Sequence, residues 1–240
     1  FLRKCDGYFA YTQGVKDFLV DNSLPEDKIH VVQNSIDTGK IRNEYLKITT
    51  EQTRDLKDQL GINSNNVGIY CGGMYAEKRI SFLLEVCTKI KERVPDFHMI
   101  FIGSGIDMDL VQTAASKYSW IHYVGPKLGI DRVPYFKIAS VHLMPGLVGL
   151  AVLDSFALET PLLTTKYEFH SPEIEYLVNG YNGEITEDDI ESYTDAVVKS
   201  LEPEQNKLLV KGCTDSISNY SMERMVENFK NGILKMISTK

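Results

Sequence analysis

From residue 67 onward the chain alternates short, wholly apolar runs with longer stretches in which apolar residues recur every three or four positions. VGIYCGG (67–73) is followed by RISFLLEVCTKIKERV, where Leu83, Val86, Cys87, Ile90 and Val94 share one helical face, and then by HMIFIGSG (98–105). This spells a β-α-β unit. The alternation continues with a helix near Met108 to Tyr118, a strand in WIHYVGP, a helix near Arg132 to Ala139 and a strand in VHLMP. MPGLVGLAVLDSFALETPLLTT (144–165) then supplies a helix beginning near Val148 and a strand in PLLTT. Continuously apolar strands separated by amphipathic helices predict a parallel sheet covered on both faces, a doubly wound α/β domain.

The two ends depart from this repeat. Residues 1–37 carry a strand in GYFAYT, a helix in GVKDFLVDNS and a strand in KIHVVQ, whereas 187–240 are predicted helical, opened by the capping-box-like TEDD. The last helix, about Ser221 to Ile237, places Met222, Met225, Val226, Phe229, Ile233 and Met236 on a broad apolar face, which must pack on something.

At 240 residues and 43% hydrophobic content the chain can bury a substantial core. A formal charge of −7 argues against a generic nucleic-acid surface or a polybasic membrane patch, so an anionic ligand must be met by specific local groups. Cys5, Cys71, Cys87 and Cys213 are scattered without metal-ligand or disulfide-framework spacing, which suits a reducing cytoplasm. No run approaches the roughly 18–20 apolar residues of a membrane span, and the opening FLRKCDGYFAYTQG is too polar for a signal peptide. The first residue is Phe1 rather than Met, and the expectation is a piece of a longer protein.

In a doubly wound sheet, ligands bind where strands end and the following turns present free N–H groups. Gly72-Gly73, Gly103-Ser104-Gly105, Gly125-Pro126 and Gly146 with Gly149 each follow a predicted strand, so four turns have open backbone on one edge. Singly, such glycines merely permit tight turns; together they point to a pocket. Asp154, eight residues after Gly146 and about two turns into its helix, reads either as an acceptor for a ribose diol or as an acid at the solvent edge of a half-buried helix. Lys78, at the start of the helix after CGGMYAEK, is placed to pair with a diphosphate or to lie on the surface; Arg79, about 100° around, points elsewhere. His170 is ambiguous. It precedes a helix start marked by Ser171 and Pro172, where Glu173 complements the helix dipole. A GxSxG elbow, HExxH, a P-loop and paired metal-ligand clusters are absent from the sequence. The residues alone therefore lead to a nucleotide- or phosphate-binding α/β domain.

Five segments together resemble the retaining family 4 glycosyltransferases of the GT-B fold, in which two Rossmann-like domains face each other. They are YTQGVKDFLVDNSLPEDKIHVVQNSID, YCGGMYAEKRISFLLE, FIGSGID, HYVGP, and MPGLVGLAVLDSFALETPLLTT with HSPEIEYLVNGYNG; FKNGILKMI matches the closing helix. The resemblance covers about residues 6 to 183, and is nearest to bacterial surface or capsular polysaccharide transferases. It implies that residues 1–47 are a remnant of an acceptor domain with its linker, 48–218 a nucleotide-sugar domain, and 219–240 a helix crossing back to the acceptor domain. It implies a catalytic, diphosphate-binding Lys78, backbone donors around Gly149 and Leu150, and a ribose acid at Asp154. The base would lie near Val124 and Gly125, and Gly72, Gly73, Ser104, Gly146 and Val148 would complete the donor pocket.

The sequence departs from the family twice. The usual Glu-x7-Glu becomes Gly146-x7-Asp154, and the Arg five positions before the Lys is Gly73, for which Arg79 is a candidate substitute. The resemblance implies a UDP- or GDP-sugar substrate, no cofactor and no metal. It also implies a glycan or lipid-linked acceptor and a cytoplasmic site, peripheral at most to the inner membrane face. A non-catalytic nucleotide-sugar-binding module and an epimerase on a similar fold are the alternatives.

Overall fold

The computed structural model describes residues 5–238, so the outermost parts of the predicted end segments, 1–4 and 239–240, lie outside the described residues. The chain opens with β1 (Tyr8–Ala10), α1 (Gln13–Asp21) and β2 (Ile29–Val31), and the two strands pair in parallel. Thr12 starts α1 by accepting a hydrogen bond from Val15 N–H at 3.4 Å.

The hydrophobic pattern predicts no element over 38–60, yet two helices form there, α2 (Thr38–Lys47) and α3 (Thr50–Leu60). Local chemistry accounts for both. Asp37 caps α2 through Lys40 N–H at 2.9 Å; Thr49 and Gln52 make a reciprocal capping box on α3, which stops at Gly61 with φ 67°. Ile41 and Tyr45 supply the narrow buried stripe of α2.

The main domain follows as β3 (Val67–Cys71), α4 (Ile80–Arg93), β4 (His98–Ile102), α5 (Met108–Lys117), β5 (Ile121–Tyr123), α6 (Val133–Ile138) and β6 (Val141–Leu143). It continues with α7 (Ala151–Ala157), β7 (Leu162–Thr165), β8 (Gly183–Thr186), α8 (Ile190–Leu201), α9 (Pro203–Ile217) and α10 (Met222–Ser238). β3 to β8 form one parallel sheet in the order β5-β4-β3-β6-β7-β8, the doubly wound arrangement expected from the sequence. Side chains alternate between its faces. Tyr70, Met99 and Phe101 enter one core with Leu83, Val86 and Ile90 of α4, while Val67, Ile69, Ile100 and Ile102 enter the other with Phe136 and Ile138 of α6. Strand order reverses between β3 and β6, which opens a crevice at their carboxyl ends.

Several local expectations are corrected. α7 begins at Ala151 rather than Val148, because Val148 N–H bonds His170 Nδ1 at 3.1 Å and the chain turns through Gly149 and Leu150. Asp154 consequently lies in the first turn of α7. α8 is capped by Asp189, whose carboxylate accepts from Ser192 N–H at 2.8 Å; Thr186 of TEDD belongs instead to β8, a strand the pattern does not predict. The helix expected after Ser171 is a short 3-10 segment, Pro172–Tyr176.

α10 packs back on the β1–β2 unit. Phe229 packs on Phe9 with the rings tilted and their centroids 4.7 Å apart, Gly232 lets the helix approach His30, and Asn228 Nδ2 donates to Val32 O at 3.2 Å. The packed stripe is narrower than the sequence suggests, since Val226 and Ile233 remain exposed. The same unit is tied to the main domain by two acids of the 3-10 segment: Glu175 accepts from Thr12 Oγ1 (2.7 Å) and Gly14 N–H (2.9 Å), and Glu173 from Asn34 Nδ2 (2.6 Å).

Candidate functional site

The turns after β3 and β4 mesh by backbone alone. Gly72 N–H bonds Ile102 O at 3.0 Å and Met74 N–H bonds Ser104 O at 2.9 Å. The approach needs glycine at 103, where φ is 140° and a Cβ would stand 1.8 Å from Gly72 O. Hydroxyls brace this floor from below, Tyr70 donating to Gly73 O and Tyr123 to Gly103 O at 3.0 Å.

Above it lies a cavity of about 350 Å³ lined by Gly72, Gly73, Ser104, Lys127, Arg132 and Asp154, among others. It sits at the crevice where strand order reverses, and brings together Gly72, Gly73, Gly103, Ser104, Pro126 and Asp154, all singled out from the sequence. Asp154 is not a free acid. Arg132 Nη2 bonds its Oδ1 at 2.6 Å with both side chains largely buried, and Arg132 Nη1 also donates to Gly129 O at 2.8 Å. Burial raises the Asp154 carboxyl above its ordinary pKa, opposed by the guanidinium. The Cys71 thiol on the cavity wall is pushed up to about 12 by burial and by Asp154, so it stays protonated.

Lys78 is not on the cavity wall. It ends a 3-10 turn before α4 and is buried beneath the loop between β6 and α7, where Nζ donates to Leu147 O and lies 3.9 Å from Met144 Sδ. Among the described residues it pairs with no carboxylate, and burial lowers its pKa to about 8. Gly146 faces the same turn: Leu147 N–H bonds Glu77 O at 2.8 Å, and a Cβ on Gly146 would meet that oxygen at 2.1 Å. Gly149 is open by comparison, its nearest neighbour Ser171 Oγ at 3.5 Å, and the N–H groups of Gly149 and Leu150 have no partner among the described residues. The arrangement puts a buried ammonium and free backbone N–H groups, both suited to an anion, beside a cavity that carries an acid in its wall.

Residues 65–203, more than half of the chain, match the family described as glycosyl transferases group 1. The chain belongs to this family. Its match to solved structures agrees in fold: a glycosyltransferase from Rickettsia africae superposes with TM-score 0.75 at 19% identity, covering 98% of this chain and 64% of that one. Anabaena Alr3699/HepE, in complex with UDP and glucose, gives TM-score 0.74 at 14% identity with 98% and 64% coverage. The pneumococcal O-GlcNAc transferase GtfA, in complex with UDP and GlcNAc, gives 0.75 at 13% with 98% and 46%. This group 1 glycosyl transferase chain thus spans less than two thirds of the length of these structures. No curated protein matches it significantly.

Other sequence candidates of this group 1 glycosyl transferase chain, namely His170, Arg79, Glu173, Val124 and Gly125, do not line the cavity. His170 is a brace: Nε2–H donates to Thr165 O at 2.8 Å, which leaves Nδ1 to accept from Val148 N–H, and burial lowers its pKa. Arg79 is turned away, ion-paired with Asp188, bonded to Thr165 Oγ1 at 3.3 Å and stacked on Phe82 at 4.3 Å. Glu173 is buried and bound to Asn34, beyond the dipole role inferred from the sequence. Val124 packs into the core and Gly125, at φ 73°, accepts from Gly103 N–H at 3.2 Å; the next residues, Pro126 to Leu128, line the cavity instead. Arg132 is the residue sequence reasoning missed. It stands 22 positions before its partner, with α6, β6 and the loop into α7 between them, and no local motif marks it. No helix of the described residues is long and apolar enough to cross a membrane, and no three of their metal-ligating side chains cluster.

Proposed function

We propose that the chain is the donor-binding half of a retaining glycosyltransferase. It would move a sugar from a nucleotide diphosphate to a glycan or lipid-linked acceptor in bacterial surface or capsular polysaccharide synthesis. The observation that carries this is the cavity at the sheet's reversal point, with Asp154 in its wall and an unpaired ammonium beneath the adjoining loop. Binding a diphosphate beside Lys78 supplies the charge that its buried site lacks, and the free N–H groups of Gly149 and Leu150 point to the same ligand. The neighbours' complexes with UDP and sugars support a nucleotide-sugar donor. Asp154 would accept from the ribose, and the segment Pro126–Leu128 would border the base.

Catalysis in this reading consists of positioning and of stabilising the departing diphosphate, with the acceptor oxygen arriving on the face the leaving group vacates. Lys78 is the one cation of the described residues buried beneath the loop after β6, and no cofactor is invoked. The acceptor would bind to a preceding domain facing this one. NMR of the product's anomeric centre, formed by the protein with that domain, tests the reading; inversion at that carbon contradicts retention, and unchanged turnover in Lys78→Ala contradicts the lysine's role.

Gly146 favours one competing reading. The position where the family carries a Glu has no room for a side chain, Gly73 replaces the family's Arg, and Arg79 is held by Asp188. A protein so altered would serve as a non-catalytic nucleotide-sugar-binding module. Donor binding without transfer by the same preparation would establish that role.

A further inference from the structure

Among the described residues Arg132 makes the one side-chain hydrogen bond to the acid in the cavity, and its geometry is specific. Nη2 takes one oxygen of Asp154 at 2.6 Å, while Nη1 closes the turn at Gly129 O at 2.8 Å. Arg132 Nε is buried without a partner, so the guanidinium is held through these two terminal nitrogens among the described residues. The second carboxylate oxygen, Oδ2, has no hydrogen-bond partner among the described residues, and Asp154 lines the cavity. Arg132 lines it too, and the chain just before the turn it closes, Pro126 to Leu128, forms the adjoining wall. One side chain therefore ties the turn that follows that wall to the acid.

We infer that Arg132 is a positioning residue for ribose recognition: by holding Oδ1 it keeps Asp154 oriented, with Oδ2 left to accept the sugar's vicinal hydroxyls. This rests on the donor-domain reading. A carboxylate held through one oxygen by a guanidinium that is itself anchored at Gly129 O is oriented before the ligand arrives, so less freedom is lost on binding. The arrangement also divides the roles of the two residues. Asp154 touches the ribose, and Arg132 acts through Asp154.

The test is calorimetric titration of UDP and GDP, each beside its 2′-deoxy counterpart, into the wild-type chain and into Arg132→Met, Arg132→Lys, Asp154→Asn and the Met/Asn double variant. Wild type prefers the ribonucleotide by roughly tenfold, the scale of one hydrogen bond to a charged acceptor. Arg132→Met abolishes most of that preference while leaving 2′-deoxynucleotide affinity within about threefold of wild type, a difference below one typical hydrogen bond. Arg132→Lys recovers part of it, and the double variant discriminates no worse than Asp154→Asn, since coupled residues lose the interaction only once. Equal weakening of ribo- and deoxyribonucleotides by Arg132→Met, with the preference intact, overturns the inference while leaving the donor reading standing. Absence of nucleotide binding in wild type overturns both. Should Arg132→Met fail to fold, Arg132→Lys carries the test, and an undiminished ribose preference in it with the Asp154 bond broken, read by NMR of the guanidinium, is the contradicting result.

Discussion

Replacing Gly146 with alanine would put one methyl group 2.1 Å from Glu77 O and 2.9 Å from Lys78 C. Both neighbours are backbone, so no side-chain rotation relieves the clash, and the loop after β6 must separate from the turn that carries Lys78. Overpacking of this kind costs about 1–3 kcal/mol. Separation also breaks the 2.8 Å bond from Leu147 N–H to Glu77 O, adding about 1 kcal/mol. A loss of about 2–4 kcal/mol lowers the melting temperature by roughly 4–16 °C for a protein of this size. Gly149→Ala is the control three residues away, where the new Cβ finds only ordinary contacts at 3.5 Å and 3.9 Å, and its stability should stay within about 1 kcal/mol of wild type. Differential scanning calorimetry of both variants decides the matter. Equal melting temperatures for Gly146→Ala and wild type, or a larger drop for Gly149→Ala, would refute the argument from close backbone approach. The same contact means that no side chain, Gly146→Glu included, fits at this position unless the Lys78 turn moves.

Lys78, with its pKa lowered to about 8 by burial, disfavours its own charged form in the fold. The folded pKa lies below the unfolded value of 10.5, so this penalty is full below about pH 8 and fades toward pH 10.5. Stability relative to Lys78→Met should therefore rise across that window in urea titrations, and diphosphate affinity should fall as pH passes about 8 in wild type but not in the variant. His142, fully buried with Nδ1 2.8 Å from Ser155 Oγ, has its pKa lowered to about 3 by burial first and by Lys78 and Arg132 next. Its contribution is present above pH 6.5 and lost progressively toward pH 3, so His142→Asn should flatten the acid limb of the melting-temperature profile. Glu173→Ala leaves Asn34 Nδ2 without its 2.6 Å acceptor, and hydrogen exchange should speed up in β1 and β2 with little change in β3 or β4.

The main sheet was readable from the sequence because its strands are apolar on both faces and its helices keep one apolar side; Leu83, Val86, Cys87 and Ile90 of α4 are all buried as that pattern requires. α2 and α3 were not, since TGKIRNEYLK and TEQTRDLKDQL carry too few apolar residues to mark a face, and their caps do more of the specifying. β8 was hidden for a similar reason, being four residues long on a sheet edge and only partly buried. At the site, the glycine turns announced an open sheet edge, but not which glycine answers to which neighbour. Gly103 and Gly146 are required by carbonyls 31 and 69 positions away in the chain, Gly72 O and Glu77 O. Lys78 was legible as a cation near the strand ends, whereas its burial under Leu147 depends on a turn that sequence periodicity cannot place. The Arg132–Asp154 pair exists only because the segment after β5 folds over the start of α7, a tertiary fact with no local signature.

The most direct test of the donor-domain account is calorimetric titration of this chain with UDP, GDP, ADP and CMP, repeated with Asp154→Ala. The account predicts selective binding of one nucleoside diphosphate, weakened about tenfold or more by Asp154→Ala, the scale of losing a charged hydrogen-bond acceptor. Binding that does not distinguish among the nucleotides, or that is indifferent to Asp154, would contradict it.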